Sequence, residues 1–192
     1  MYHDGNRRLQ QRFDSTALAD RLLEVTHHTR FTEQDKAFIT GSSFFFLATA
    51  TAEGQPDCSF KGGPAGFVQV TDENELVFPD YDGNGMFKSL GNIEVNPNVG
   101  LLFITLEASP KRLRVNGRAE ILSDHERMDE FVGAQLLVRV SVEHIFPNCP
   151  RYIPNLNDAE SSMYLPEQGK PPVEPEWKAF DIFEDVVPPR RR

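Results

Sequence analysis

The segment Arg112 to Leu122, RLRVNGRAEIL, alternates with a period of two along its whole length. Leu113, Val115, Ala119 and Ile121 fall on one face; Arg112, Arg114, Asn116, Arg118 and Glu120 fall on the other. Successive side chains point to opposite faces only in a strand, so this stretch predicts a half-buried strand and commits the chain to a sheet with a covered face. Two further runs, Phe44 to Thr51 (FFFLATAT) and Val99 to Leu106 (VGLLFITL), are β-prone and nearly continuously apolar. Such runs read as strands covered on both faces. Leu136 to Phe146 adds a long strand with Val138, Val140 and Val142 on one side. Shorter strands are expected at 57–61, 67–70 and 76–78, set off by the turns Glu53-Gly54-Gln55-Pro56 and Thr71-Asp72-Glu73-Asn74. Sequential strands joined by short turns argue antiparallel pairing, and repeated apolar runs argue a closed sheet. The class is mainly β with peripheral helices (α+β).

Helices are expected around this sheet. Residues 1–14 are polar and read as a frayed or draped tail. Ser15 can cap a helix in which Ala17, Leu18, Arg21, Leu22 and Val25 recur at helical spacing. His27 and His28 lie at its end, about 100° apart on a helix, which suits the negative helix terminus better than a shared metal. Thr32 and Asp35 resemble a capping box for a second helix ending near Gly41. A third runs over 86–95, with Met86, Leu90 and Ile93 on one face, and closes at Asn96-Pro97. A fourth starts at Ser123-Asp124-His125-Glu126 and reaches Phe131. Three regions of one domain follow: a helical extension over 1–41, a barrel over 42–147, and an arm over 148–192. The arm is rich in proline and charge, and Trp177, Phe180 and Phe183 would anchor it on the barrel or on a partner subunit.

Charge narrows the function. The 192 residues carry 29 acidic and 20 basic side chains, a formal charge of -9. Apart from Arg190-Arg191-Arg192 there is no basic stripe, which argues against nucleic acid. No apolar run approaches the roughly 20 residues of a membrane span, and the N-terminus has no apolar targeting core. Cys58 and Cys149 make neither a disulfide framework nor a CxxC pair, which fits a cytoplasmic setting.

The stretch from Cys58 to Asn98 carries the ligand signals. Lys61 precedes Gly62-Gly63-Pro64, with Gly66 just beyond. Asp80-Tyr81-Asp82-Gly83-Asn84-Gly85 then runs into the third helix. Glycine admits a ligand close to the backbone, and a helix N-terminus offers unpaired N–H groups and partial positive charge. Either motif alone reads better as an ordinary turn between strands. Together they suggest a phosphorylated planar ligand at the end of a sheet. No Ser/His/Asp triad, Cys/His pair or metal set is visible, so no catalytic side chain is named.

These residues resemble the pyridoxamine 5′-phosphate oxidase-like family, the FMN-binding split β-barrels. The resemblance rests on FFFLATATAEGQPDCS, then LVFPDYDGNGMFKSLGNIEVNPNVGLLFI, then RLRVNGRAEI, and covers about residues 40–147. KGGPAGF, DYDGNGMFKSLGN and FPNCPRYI are similar to a bacterial subgroup of oxidase-like flavoproteins. It implies an antiparallel split β-barrel and a homodimer with the cofactor site at the subunit interface. It also implies FMN, and flavin-dependent oxidation or reduction of a small molecule with a nicotinamide as possible donor.

By position, Ser59 and Lys61 would contact the phosphate and ribityl chain, and the backbone of Lys61, Gly62 and Gly63 would reach the flavin N5. The backbone from Phe78 to Asp80 would follow the isoalloxazine edge. Asn84 and Ser89 would hold phosphate, Arg112 would reach flavin from the other subunit, and Trp177 would stack on cofactor or anchor the interface. The family's Ser-Arg-Lys phosphate cluster is here Gly83-Asn84-Gly85-Met86. Positive charge is therefore expected from Lys61, Lys88 and Arg112, with Asp80 and Asp82 turned away or capping the helix. Deazaflavin F420 is the alternative cofactor. An F420-dependent reductase, or a flavin- or haem-binding storage or sensor protein without turnover, is the alternative function. No Arg-x-His element stands near Trp177, so a vitamin B6 substrate is not implied.

Overall fold

In the computed structural model, residues 1–107, 109–123, 126–149, 153, 167–171 and 173 are described. Strands β1 (Phe44–Ala50) and β2 (Pro56–Gly62) form one hairpin, and β3 (Gln69–Asp72) and β4 (Glu75–Tyr81) another; β5 (Asn98–Ile104), β6 (Arg112–Leu122) and β7 (Ala134–Pro147) complete a single sheet. Its order is β2-β1-β5-β6-β7-β4-β3, and every neighbouring pair is antiparallel. Three strands separate β1 from β4 in that order, yet the rings of Phe45 and Phe78 are 5.0 Å apart. The sheet therefore curls into a barrel. Its end strands β2 and β3 do not pair, so the barrel is split rather than closed as the apolar runs had suggested.

The inner face is the core. Phe45 sits at its centre, fully buried, against Phe67, Phe78 and Phe103 at 5.9, 5.0 and 5.2 Å. In β1 and β5 burial alternates instead of covering both faces: Phe45, Leu47, Leu101 and Phe103 are buried, whereas Phe44, Phe46, Leu102 and Ile104 are only partly covered. One chain thus leaves an apolar outer face. Phe44 and Phe46 pack there on Phe60, which is 61% exposed.

The expected alternation of β6 holds, with Gly117 on the buried side; a Cβ there would meet the Ser141 carbonyl oxygen at 2.2 Å. The register shifts at that point, Asn116 facing His144 and Gly117 facing Val142. The bulge changes the phase of β7, so Ile145 follows Val142 into the core. On the other face Val77, Phe131 and Leu137 form a small second cluster. The helix expected over 123–131 is a 3-10 turn at Met128–Glu130, and Asp124 and His125 lie outside the described residues.

The N-terminal region differs from its sequence reading. Residues expected as a tail form α1 (Asp4–Arg12), because His3 caps it and Asn6 returns a bond to the cap backbone. Tyr2 donates to the Ala19 carbonyl and Arg7 pairs with Asp20, fixing α1 on α2 (Thr16–Thr26). The α2 helix forms as read, but the apolar residues recurring along it face outward: Leu18, Leu22 and Val25 are 63%, 50% and 71% exposed. The capping box of α3 (Glu33–Gly41) is present as read.

His27 and His28 serve tertiary contacts rather than the α2 terminus. His28 exchanges backbone bonds with Ile145 and places Nε2 2.8 Å from Asp35, whose carboxylate also accepts from the Thr32 N–H and hydroxyl. His27 Nε2 lies 2.9 Å from His144 Nδ1. Burial first, then the nearby His144 and His28, hold His27 below its ordinary value of 6.5. Because the folded state resists this proton, the contribution of His27 is full above about pH 6.5 and falls as pH drops from there through the lower folded value. Amide exchange across residues 4–28 should therefore quicken below that pH while β5 and β6 stay protected. His27→Gln should flatten the dependence.

Candidate functional site

Inward residues of the edge strand β2 line the split. Register places Asp57, Ser59 and Lys61 opposite Thr49, Leu47 and Phe45, all on the inner face. Each meets a different partner. Lys61 Nζ lies 3.6 Å from Asp80 Oδ1, with both side chains largely covered. Ser59 and Ser89 share a hydroxyl–hydroxyl bond of 2.8 Å. Asp57 lies 3.6 Å from Lys88. The Lys61–Asp80 pair joins the two ends of the curled sheet. Asp80 does not turn away as expected; it is buried, and Gln135 donates to it at 3.1 Å.

Helix α4 (Lys88–Val95) closes one end of this row. It begins two residues later than expected, so Met86 is exposed while Leu90 and Ile93 are buried. Asn92 donates to Thr49 inside the barrel. The cap residue Phe87 has φ 47° and ψ 32°, a left-handed conformation that costs a non-glycine residue roughly 1 kcal/mol. The cap residue Phe87 makes no side-chain bond to the first-turn N–H groups. Asn84 is tied within the preceding turn, accepting from the Met86 N–H at 3.0 Å.

On the other side, β3 pairs with β4 only as far as Val77. From Phe78 to Tyr81 β4 pairs with β7 alone, so one backbone edge carries no strand. The Phe78 side chain is in the core, leaving only its backbone for a ligand. Burial pushes the Tyr81 hydroxyl up to about 12, so it stays protonated near neutral pH. Gly62 and Gly63 have a packing reason of their own, since Cβ atoms there would meet the Phe60 and Phe67 rings at 2.7 and 2.5 Å.

Ser59, Lys61, Gly62, Gly63, Phe78, Asp80 and Ser89 therefore gather around the split. Arg112 does not join them within the chain: it begins β6 opposite Ile104, on the outer face, and donates to the Cys149 carbonyl at 2.7 Å. Trp177 lies outside the described residues. Sequence reasoning missed Asp57 and Gln135. Nothing local marks them: Gln135 reaches Asp80 only because it is the extra residue at the register shift where Asp80 pairs with Leu136 and Tyr81 with Ala134. Among the described residues there is no group of three or more metal-ligating side chains, and no helix is long and apolar enough to cross a membrane.

Comparison with known proteins gives a family match. The family described as pyridoxamine 5′-phosphate oxidase matches residues 31–155. No curated protein matches the chain. Among solved structures, an FMN-binding protein from Syntrophomonas wolfei is 12% identical, covering 74% of this chain and 97% of its own, with a TM-score of 0.49. HupZ of Group A Streptococcus is 20% identical, covering 66% and 99%, with a TM-score of 0.48. The haem storage protein HutZ of Vibrio cholerae is 20% identical, covering 62% and 92%, with a TM-score of 0.42.

Proposed function

The chain belongs to the pyridoxamine 5′-phosphate oxidase family, and on that premise we propose that it is a flavoprotein holding FMN at the split and exchanging electrons with a small molecule or a nicotinamide. The observation that carries this reading is the inward row Asp57, Ser59 and Lys61, which meets a helix start with no N-cap side-chain bond on one side and a strand edge beyond the reach of β3 on the other. These donors fit a phosphorylated flavin. The α4 N–H groups, Lys88 and the Ser59–Ser89 hydroxyls suit the phosphate, and the β4 edge from Phe78 to Asp80 suits hydrogen bonds to the ring. The flavin, when bound, supplies the redox chemistry. The protein's part is to orient it, exclude water, and offer the Lys61-Gly62-Gly63 backbone near N5.

The apolar outer face supports a homodimer. Phe44, Phe46, Phe60, Leu102 and Ile104 leave a surface that a second copy would cover. Arg112 lies on that same face, where it can serve the partner's site.

A second reading, cofactor binding without turnover, draws on the charge balance. Lys61 and Lys88 each already face an aspartate at 3.6 Å, which weakens their hold on a dianion.

The test is an absorbance spectrum after incubation with excess FMN and removal of free flavin. Stoichiometric bands near roughly 370 and 450 nm are expected, followed by bleaching with a nicotinamide donor. No retained flavin at micromolar protein overturns the FMN assignment, with F420 and haemin as the next ligands in the same assay. Retention without bleaching by any donor favours storage.

A further inference from the structure

The outward stripe of α2 needs an occupant. Leu18, Leu22 and Val25 recur at helical spacing, which puts them on one line about 10 Å long. Neither α1 nor α2 has a buried residue, and Leu9 and Phe13 of the same helical hairpin are also exposed. Single exposed leucines are ordinary, but a continuous apolar stripe on a helix that already buries little is unstable in water. Fixed anchoring is confined to one end: the Tyr2 and Arg7 bonds hold α1 to α2, and His27 and His28 hold α2 to β7.

We infer that the C-terminal segment 177–187 of the same chain docks on this stripe, with Trp177, Phe180 and Phe183 as its anchors. Reach favours it. Strand β7 ends at Pro147, two residues beyond the Ile145–His28 bridge, so the chain departs from the end of α2. The 27 residues over 150–176 are enough chain to cover roughly 30 Å as a flexible linker would, against about 16 Å for all of α2. Chemistry favours it too. The three aromatic residues recur every third position, an apolar set to meet an apolar stripe. Trp and Phe anchors set against an apolar line are the usual makeup of a docking contact. The inference seats Trp177 on α2 rather than on the cofactor, and no residue described at the split takes part.

Trp177 is the only tryptophan in the chain, so its emission reports the contact directly. Full-length protein, the variant Leu18→Glu/Leu22→Glu and the control Phe60→Glu would be compared at equal flavin content. Docking predicts blue-shifted emission and protection from acrylamide in the parent and in Phe60→Glu, independent of protein concentration. It predicts red-shifted emission, with quenching rising toward that of the denatured chain, in the double variant. Both leucines are exposed, so circular dichroism of the barrel should be unchanged. Emission already like that of the denatured chain in the parent, or unmoved by the double substitution, overturns the inference. A loss of association in sedimentation with emission unmoved assigns the stripe to a second copy and overturns it as well.

Discussion

Phe45→Ala should cost about 3–5 kcal/mol of unfolding free energy, among the largest losses any single truncation in this chain can produce. Phe45 is fully buried and touches three other phenylalanines, contributed by β4, β5 and the turn before β3. Its removal takes away transferred apolar area and leaves a ring-sized cavity bounded by strands that cannot all move inward together. Against a total stability of about 5–15 kcal/mol, the melting temperature should fall by on the order of 10 °C. The measurement is denaturant unfolding at low protein concentration, where association does not contribute. Phe60→Ala is the contrast, since that ring is mostly exposed. A loss at Phe60 equal to that at Phe45 would contradict the assignment of inner and outer faces.

Lys61→Ala should lower flavin affinity by about 10- to 100-fold, the value of one charge-assisted contact. The single variant is confounded, because it also leaves the covered Asp80 carboxylate facing Gln135 without its cation. The double variant Lys61→Ala/Asp80→Asn separates the effects: stability should return toward the parent while flavin binding stays weak. Asp80→Asn alone should bind FMN more tightly than the parent, because Lys61 is released and a negative charge is removed from the site of an anionic ligand. Equilibrium titration with FMN, followed by flavin fluorescence, measures all three. Parent-like affinity in the double variant would remove Lys61 from the site, and weaker binding by Asp80→Asn would show that the carboxylate holds Lys61 in place rather than competing for it.

Much of the barrel was legible because strand periodicity is a local property. The alternation of Leu113, Val115 and Ala119 against Arg112, Arg114 and Arg118 appears in the structure as read. The capping box at Thr32 was equally plain, since its partners are three residues apart. The faces of β1 and β5 were not. An apolar run reads the same for both faces, and it cannot say that the structure leaves one of them only partly covered. The α2 stripe failed for the same reason: periodicity identified Leu18, Leu22 and Val25 as one face and was silent on what meets it. Histidines 27 and 28 were read from the nearest helix terminus, whereas their partners His144, Ile145 and Asp35 come from β7 and α3.

For the candidate site, the sequence by itself determined the strand that carries Ser59 and Lys61 and the helix that follows Gly85, whereas Asp80 and Tyr81, read as a turn, belong to β4. The strand and the helix follow from backbone preferences and side-chain period over a few residues. Only the tertiary structure decided that Asp80 faces Lys61, that Gln135 supports it, and that Gly62 and Gly63 make room for phenylalanine rings. Those outcomes depend on how far the sheet curls before its ends meet. Curl is set by the summed twist and packing of seven strands, which no single stretch of the chain encodes.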